Sequence, residues 1–252
     1  MRNGFFPVFT KGRVLKRESI EYLRDFPYDL ASLATEQYSD GLLFGFYISS
    51  EDEYIRVAKG ALKYRGDIIV VPESTILMEK YGVFSYVKLD IGEFSESEDS
   101  KTCTIEVKID SQEAVSENEL EVGRFCLNHG AILRCKYDSF SDLRTLENTL
   151  DVTRVLYAGY SQPTLHPRVV KEYAKALLEA SSEAADVAFA LMCLNSAVIH
   201  KSSIEWHIAK KRDRDYEEFT LPVLYEKLEM LLPQRGLIGK RERPRGRGPS
   251  IV

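Results

Sequence analysis

The chain of 252 residues is short of cysteine, histidine and tryptophan: four, four and one. Cys103, Cys126, Cys135 and Cys193 lie far apart with no CxxC pair. Metal sites and redox dithiols usually draw two sulfurs from one local stretch of backbone, so the spacing favours neither, and it forms no disulfide framework. We read the four as buried free thiols of a reducing compartment. Long apolar runs are missing too. The longest, Val187 to Leu194, stops at Asn195, well short of the roughly 18 residues a membrane span needs. The first ten residues are broken by Gly4 and Pro7 and lack the apolar stretch of a signal peptide. These absences predict a cytoplasmic protein, or one assembled there into a larger particle, with no membrane contact. No GxSxG, Walker-type loop or GxGxxG occurs, so no catalytic residue, cofactor or metal ligand is assigned.

What is present is ordinary globular material: 44% hydrophobic, 11% aromatic and 29% charged. That aromatic content excludes general disorder, and the length can bury a sizeable core. The net charge of −5 is unevenly spread. From Arg235 onward there are six basic residues and one acid, leaving −10 on the preceding body. An acidic body argues against a nucleic-acid-binding core. The candidate contact is therefore the tail, Arg241, Arg243, Arg245 and Arg247, read as binding an acidic partner surface. Flexible arginines also neutralise phosphates and stack on bases, so nucleic acid is the alternative partner.

Patterning divides the chain into a helical arm at residues 1–40, a β-rich domain at 41–160, a helical domain at 161–233 and a basic flexible tail at 234–252. In the arm, Lys16 to Asp25 carries Ile20 and Leu23 on one face. Pro27 is expected to end or restart the helix, and Leu30, Leu33, Ala34, Gln37 and Tyr38 follow helical spacing. Predicted strands are Leu42–Ile48, Tyr54–Ala58 with Ile55 inward, Ala61–Arg65 and Ile68–Pro72 around a Gly66–Asp67 turn, the latter ended by Pro72, then Tyr86–Ile91, Thr102–Ile109, Glu119–Leu127 and Ala131–Tyr137. Strands at this spacing predict an antiparallel sandwich or barrel. Phe44, Phe46, Tyr47, Tyr54 and Tyr64 read first as core and cross-strand packing, and second as a recognition face.

After Pro163 four short helices are expected to form a small bundle. Thr164 or His166 caps the first, with Pro167 at its first position and Val170, Tyr173, Ala174, Leu177 and Leu178 as its stripe. Ser182 opens the second, with Ala185, Phe189, Met192, Cys193 and Val198 inward. Ser202 and Glu205 fit a capping box for the third, and Thr220 caps Leu221–Leu232. His200 and His207 are seven positions apart, but Lys201-Ser202-Ser203 separates them, so these two, with His129 and His166, are assigned capping or surface roles. Glu51–Glu53 and Glu96–Asp99 fall in hairpin tips, where solvated acids are the default. The fold class is thus α+β: N-terminal helical arm, antiparallel β-sandwich, C-terminal helical bundle.

The runs Ser39–Ile48, Ile55-Arg-Val-Ala-Lys-Gly60 and Leu62-Lys-Tyr-Arg-Gly-Asp-Ile-Ile69 resemble a module of phage tail and baseplate proteins, shared with prophage tail-like proteins of Gram-positive bacteria. Glu121–Leu127 with Gly130–Arg134 is similar to strands in the shell domain of the baseplate adaptor of type VI secretion and related contractile systems. The resemblance spans residues 10 to about 160. It implies a structural adaptor without cofactor, homo-oligomeric, docked to other baseplate or tail proteins and presenting its helical part to another component. The alternatives are a nucleic-acid-associated adaptor acting through the tail, and a small enzyme with its site at the sandwich–bundle junction.

Overall fold

The computed structural model describes residues 7–97, 100–113, 115–145 and 147–233. A long helix α1 (Arg17–Thr35) precedes nine strands: β1 (Gly41–Gly45), β2 (Ile48–Glu51), β3 (Tyr54–Val57), β4 (Gly60–Tyr64), β5 (Asp67–Val71), β6 (Ser74–Leu77), β7 (Phe84–Glu96), β8 (Lys101–Asp110) and β9 (Glu119–Cys126). A 3-10 turn at Ser141–Arg144 leads to α2 (Pro167–Ala180), α3 (Ala184–Asn195), α4 (Lys201–Lys211) and α5 (Leu221–Glu229). The chain is α+β, with an N-terminal helix, antiparallel sheets and C-terminal helices. The strands form three three-stranded antiparallel sheets, ordered β1-β4-β5, β2-β3-β6 and β8-β7-β9. One apolar core runs from Leu42 through the sheets to Leu228 of α5.

Local chemistry explains where the elements differ from the sequence reading. Leu42–Ile48 is two strands in two sheets, because Gly45 and Phe46 both take left-handed backbone (φ 78° and 55°). That corner turns the Phe46 ring inward over Gly60, which faces Gly45 across the ladder. A Cβ on Gly60 would lie 2.4 Å from the ring, and one on Gly45 would lie 2.2 Å from the Lys59 carbonyl oxygen. Both glycines are therefore required at this crossing. The β4–β5 turn is Arg65–Gly66, one residue earlier than expected, with both residues left-handed (φ 51° and 87°). Asp40 Oδ2 accepts a 2.9 Å bond from the Arg65 amide and secures that conformation.

Three further expectations are corrected. Helix α1 continues through Pro27; a proline withdraws one N–H and crowds the preceding turn without forbidding continuation. Ala131–Tyr137 is not a strand: it makes an isolated bridge between Arg134 and Thr149. Leu133, Phe140 and Leu143 are buried, and Arg134 pairs with Asp142, so side chains rather than a ladder fix this loop. In α3 the buried residues are Asp186, Ala190 and Cys193, whereas Ala185 and Met192 are exposed. That helix is apolar on most sides, so its periodicity carries little information, and the 2.8 Å ion pair from Lys211 to Asp186 helps set its orientation.

The helix starts are also informative. His166 caps α2, its Nδ1 accepting from the Arg168 amide at 3.1 Å, with Pro167 following. Leu178, expected in the α2 stripe, is exposed. Glu183, not Ser182, precedes α3. His200, not Ser202, caps α4 through Nδ1 and the Ser202 amide. Glu205 is thereby released from any capping box and lies fully buried. Its carboxylate accepts from the Tyr216 hydroxyl at 2.6 Å and the Phe219 amide at 2.9 Å, with Lys201 3.3 Å away. One carboxylate thus ties the α4–α5 connection to α4. Thr220 precedes α5, whose Leu221, Leu224, Tyr225 and Leu228 are buried.

The β8-β7-β9 sheet carries an ion-pair lattice. Glu119 sits between two lysines, 2.6 Å from Lys108 and 3.3 Å from Lys88, whose side chain is fully buried. Lys88 also meets Asp110, and Lys108 meets Asp90. The Lys108 bond holds the Glu119 carboxyl down at about 2, against the cost of burial.

Two outcomes follow. Glu205→Ala removes the carboxylate that the Tyr216 hydroxyl and the Phe219 amide share, and is expected to cost about 3 kcal/mol in urea denaturation; a loss under about 1 kcal/mol would show that Glu205 does not anchor the connection. Glu119 has a folded value below its unfolded one of about 4.3, so its stabilisation is complete above that value and is lost as pH falls toward 2. Thermal stability should decline through this window, and less steeply in Glu119→Gln; superimposable curves would contradict the assignment.

Candidate docking surface

The surface is built around the root of α1. Lys63 lies on β4, whose Leu62 and Tyr64 point into the core, so Lys63 points to the opposite side. There its ammonium donates to the carbonyls of Thr35 at 2.7 Å, Glu36 at 3.1 Å and Tyr38 at 2.8 Å. Those of Thr35 and Glu36 are among the carbonyls that a helix end leaves without partners, and the positive charge complements the helix dipole. Lys63 is only 8% exposed. Below this clamp the chain is stitched to residues 156–160: Ser39 N bonds Gly159 O, Leu42 N bonds Leu156 O, and the Tyr38 and Tyr160 rings pack 4.7 Å apart.

Beyond its root, α1 makes few contacts with the body, and Thr35 is its single buried residue. Its large apolar side chains face solvent: Ile20 52%, Leu23 53%, Phe26 47%, Leu30 56% and Leu33 70% exposed. The nearest element is β5. On the outer side of the β1-β4-β5 sheet, Phe44, Ala61 and Val70 form one cross-strand row, and Phe44 and Val70 are exposed. The preceding segment adds exposed Phe9, Val14 and Leu15. Of the aromatic residues considered as a recognition face, Phe46 and Tyr64 are core, while Phe44, Tyr47 and Tyr54 are exposed. The five thus divide between core packing, expected first, and exposed positions, and the apolar side of α1 is a further exposed surface.

The remaining candidates are dispersed. His207 is stacked on Phe189 at 3.9 Å and shares a 2.9 Å hydrogen bond with the Tyr173 hydroxyl. Burial pushes it down to about 4, and does the same for His166, so both imidazoles are neutral near pH 7. His207 is thus a half-buried residue packed between α2 and α3, not a freely exposed one. Cys193 is buried, its thiol pushed up to about 12 by burial. Cys103, Cys126 and Cys135 are half-buried, correcting the expectation of four buried thiols. Among the described residues no three His, Cys, Asp or Glu side chains gather as a metal site, and no helix is long and apolar enough to cross a membrane. One hollow of about 270 Å³ lies between β6 and β8, lined by Met78, Val107 and Lys108. A wider one of about 610 Å³ lies along Asp213–Glu217. Neither is at the junction of sheets and helices. Arg241, Arg243, Arg245 and Arg247 lie outside the described residues.

No protein-family model and no curated protein matches the chain. Among solved structures it is similar to a crystal structure of TssK, at 10% identity and TM-score 0.38, over 89% of this chain and 70% of that one. It is also similar to the TssK-TssF-TssG baseplate subcomplex of the type VI secretion system determined by cryo-electron microscopy, at 11% identity and TM-score 0.39, over 90% and 98%. The baseplate complex from the type VI secretion system follows at 12% identity and TM-score 0.25, over 91% and 87%. These are proteins of the class that the strand motifs resemble.

If Lys63 is the clamp of the arm, Lys63→Met should cost about 2 kcal/mol and speed limited proteolysis between Arg17 and Tyr38 at least tenfold. Unchanged cleavage there would remove Lys63 from this role.

Proposed function

We propose that the chain is a structural adaptor subunit of a phage-tail-like contractile assembly, a baseplate component that docks other subunits rather than an enzyme. The observation that carries the reading is α1: nineteen helical residues with an unburied apolar side, rooted to the body by a buried lysine. A proline inside a helix costs about 3 kcal/mol, and isolated helices of this length are marginal in water. Completing the burial of Leu23, Phe26, Leu30 and Leu33 would return about 1 kcal/mol each. That gain offsets the proline, and it is available only against a partner. An adaptor derives its free energy from buried interface in this way. The strand motifs between Ser39 and Ile69 support the contractile-tail setting.

In this reading residues 1–40 are the docking arm, 41–160 the β-rich shell domain and 161–233 the helical domain that meets a second component. The arginines at 241, 243, 245 and 247 are a further contact for an acidic partner surface. The test is affinity capture of the tagged chain from its native cell with mass spectrometry of the eluate. Sheath, tube or baseplate-like proteins are expected, and they should be lost on deleting residues 1–36. Recovery of the chain with none of them would overturn the contractile-assembly reading.

A further inference from the structure

The charge of the arm changes sign at the start of α1. Between residues 7 and 17, Lys11, Arg13, Lys16 and Arg17 stand without a single acid. From Glu18 to Glu36 the balance reverses, with Glu18, Glu21, Asp25, Asp29 and Glu36 against Arg24. Arg17 is paired with Glu21 at 2.7 Å, whereas Lys11, Arg13 and Lys16 meet no carboxylate among the described residues. Interleaved with these cations are Val8, Phe9, Val14 and Leu15, all exposed. Lys16, at the cap position of α1, makes no side-chain bond to the first-turn amides, and its charge sits at the positive end of the helix dipole. Cations and bare apolar side chains are thus gathered at the end of the arm remote from Lys63.

Two requirements select the neighbour of this end. It must be anionic, to meet the cations, and it must offer an apolar layer just beneath that charge, to take up Val8, Phe9, Val14 and Leu15. An anionic lipid surface has both: its headgroups hold Lys and Arg while apolar side chains enter the acyl boundary. Headgroup phosphates also complement the uncapped amides of the first turn. A nucleic acid meets the charge but has no layer for three aliphatic side chains. We propose that residues 8–17 seat this chain on a bilayer surface rich in anionic lipid. The acids of α1 set the manner of contact. The same headgroups repel Glu18, Asp25 and Asp29, so the arm touches through its end and does not lie in the surface. The shortage of long apolar runs speaks against a span, not against a seat on the surface, which takes only exposed side chains. The inference goes beyond the adaptor reading and leaves Leu23, Phe26, Leu30 and Leu33 to a protein neighbour.

The test is co-sedimentation of the purified full chain with vesicles of phosphatidylcholine alone and of an equal mixture of phosphatidylcholine and phosphatidylglycerol. Binding to the mixed vesicles should exceed binding to the neutral ones by about tenfold or more at low salt, and should fall as salt is raised. Lys11→Glu/Arg13→Glu should lower it by about tenfold or more. Phe9→Ser/Leu15→Ser, which leaves the charge intact, should do the same. All four side chains are exposed, so the thermal transition of either variant should match wild type. Deleting residues 235–252, the other basic segment, should leave binding unchanged. Equal binding to both kinds of vesicle, binding retained by either double variant, or binding lost with the tail instead would overturn the proposal. So would a single-stranded oligonucleotide held by residues 8–17 more tightly than the mixed vesicles, which would assign this end to nucleic acid. None of these results bears on which proteins the chain captures from its native cell, so the adaptor reading stands or falls separately.

Discussion

A single buried ammonium determines what this molecule presents to its surroundings. Among the described residues Lys63 meets no carboxylate in compensation for its burial; its ammonium bonds three backbone carbonyls at and just past the end of α1. Such a group is costly to bury and costly to leave unpaired. The β1-β4-β5 sheet and the helix end are therefore coupled: the sheet positions the lysine, and the lysine fixes where the helix leaves the body. Without that coupling the arm would be a marginal helix on a short tether. With it, an apolar side is held out at a defined place.

The rest of the chain is organised so that this root is rigid. The Gly45–Phe46 corner carries the chain from one sheet to the next, and the Phe46 ring occupies the space that Gly60 leaves open. Leu42, Ile55, Leu62 and Leu89 are essentially unexposed, and they join the same core as Tyr173 and Tyr225 of the C-terminal helices. Movement at the root would disturb close-packed neighbours on every side. The ion pairs around Glu119 and the contacts of Glu205 add directional constraints that apolar packing lacks. Rigidity at the root together with exposure at the tip suits an element that meets another molecule.

Much of the fold was legible in the sequence because period-two alternation and turn chemistry are local. Ile55 and Val57 alternate with Tyr54 and Arg56, and β5 stops before Pro72 as a residue without an N–H requires. His166 with Pro167 gave the start of α2 for the same reason. The failures share a cause of the opposite kind. Ser202 and Glu205 have the spacing of a capping box, yet the tertiary environment claims Glu205 for Tyr216 and Phe219, contacts far along the chain. Ala131–Tyr137 has strand composition, but its backbone pairs across the loop at Arg134, with Asn148 and Leu150, while Asp142 holds the Arg134 side chain. Local signals are overruled where a distant partner offers more.

The arm is the instructive case, since its helix was read from the sequence and its function was not. An apolar stripe in sequence normally signals contact with the chain's own core, and nothing in the spacing distinguishes a core-facing helix from one that faces another molecule. Only the three-dimensional placement shows Leu23, Phe26, Leu30 and Leu33 left in solvent. The pattern states that one side of the helix favours an apolar neighbour, and the fold decides whether that neighbour is the chain's own core or lies outside it.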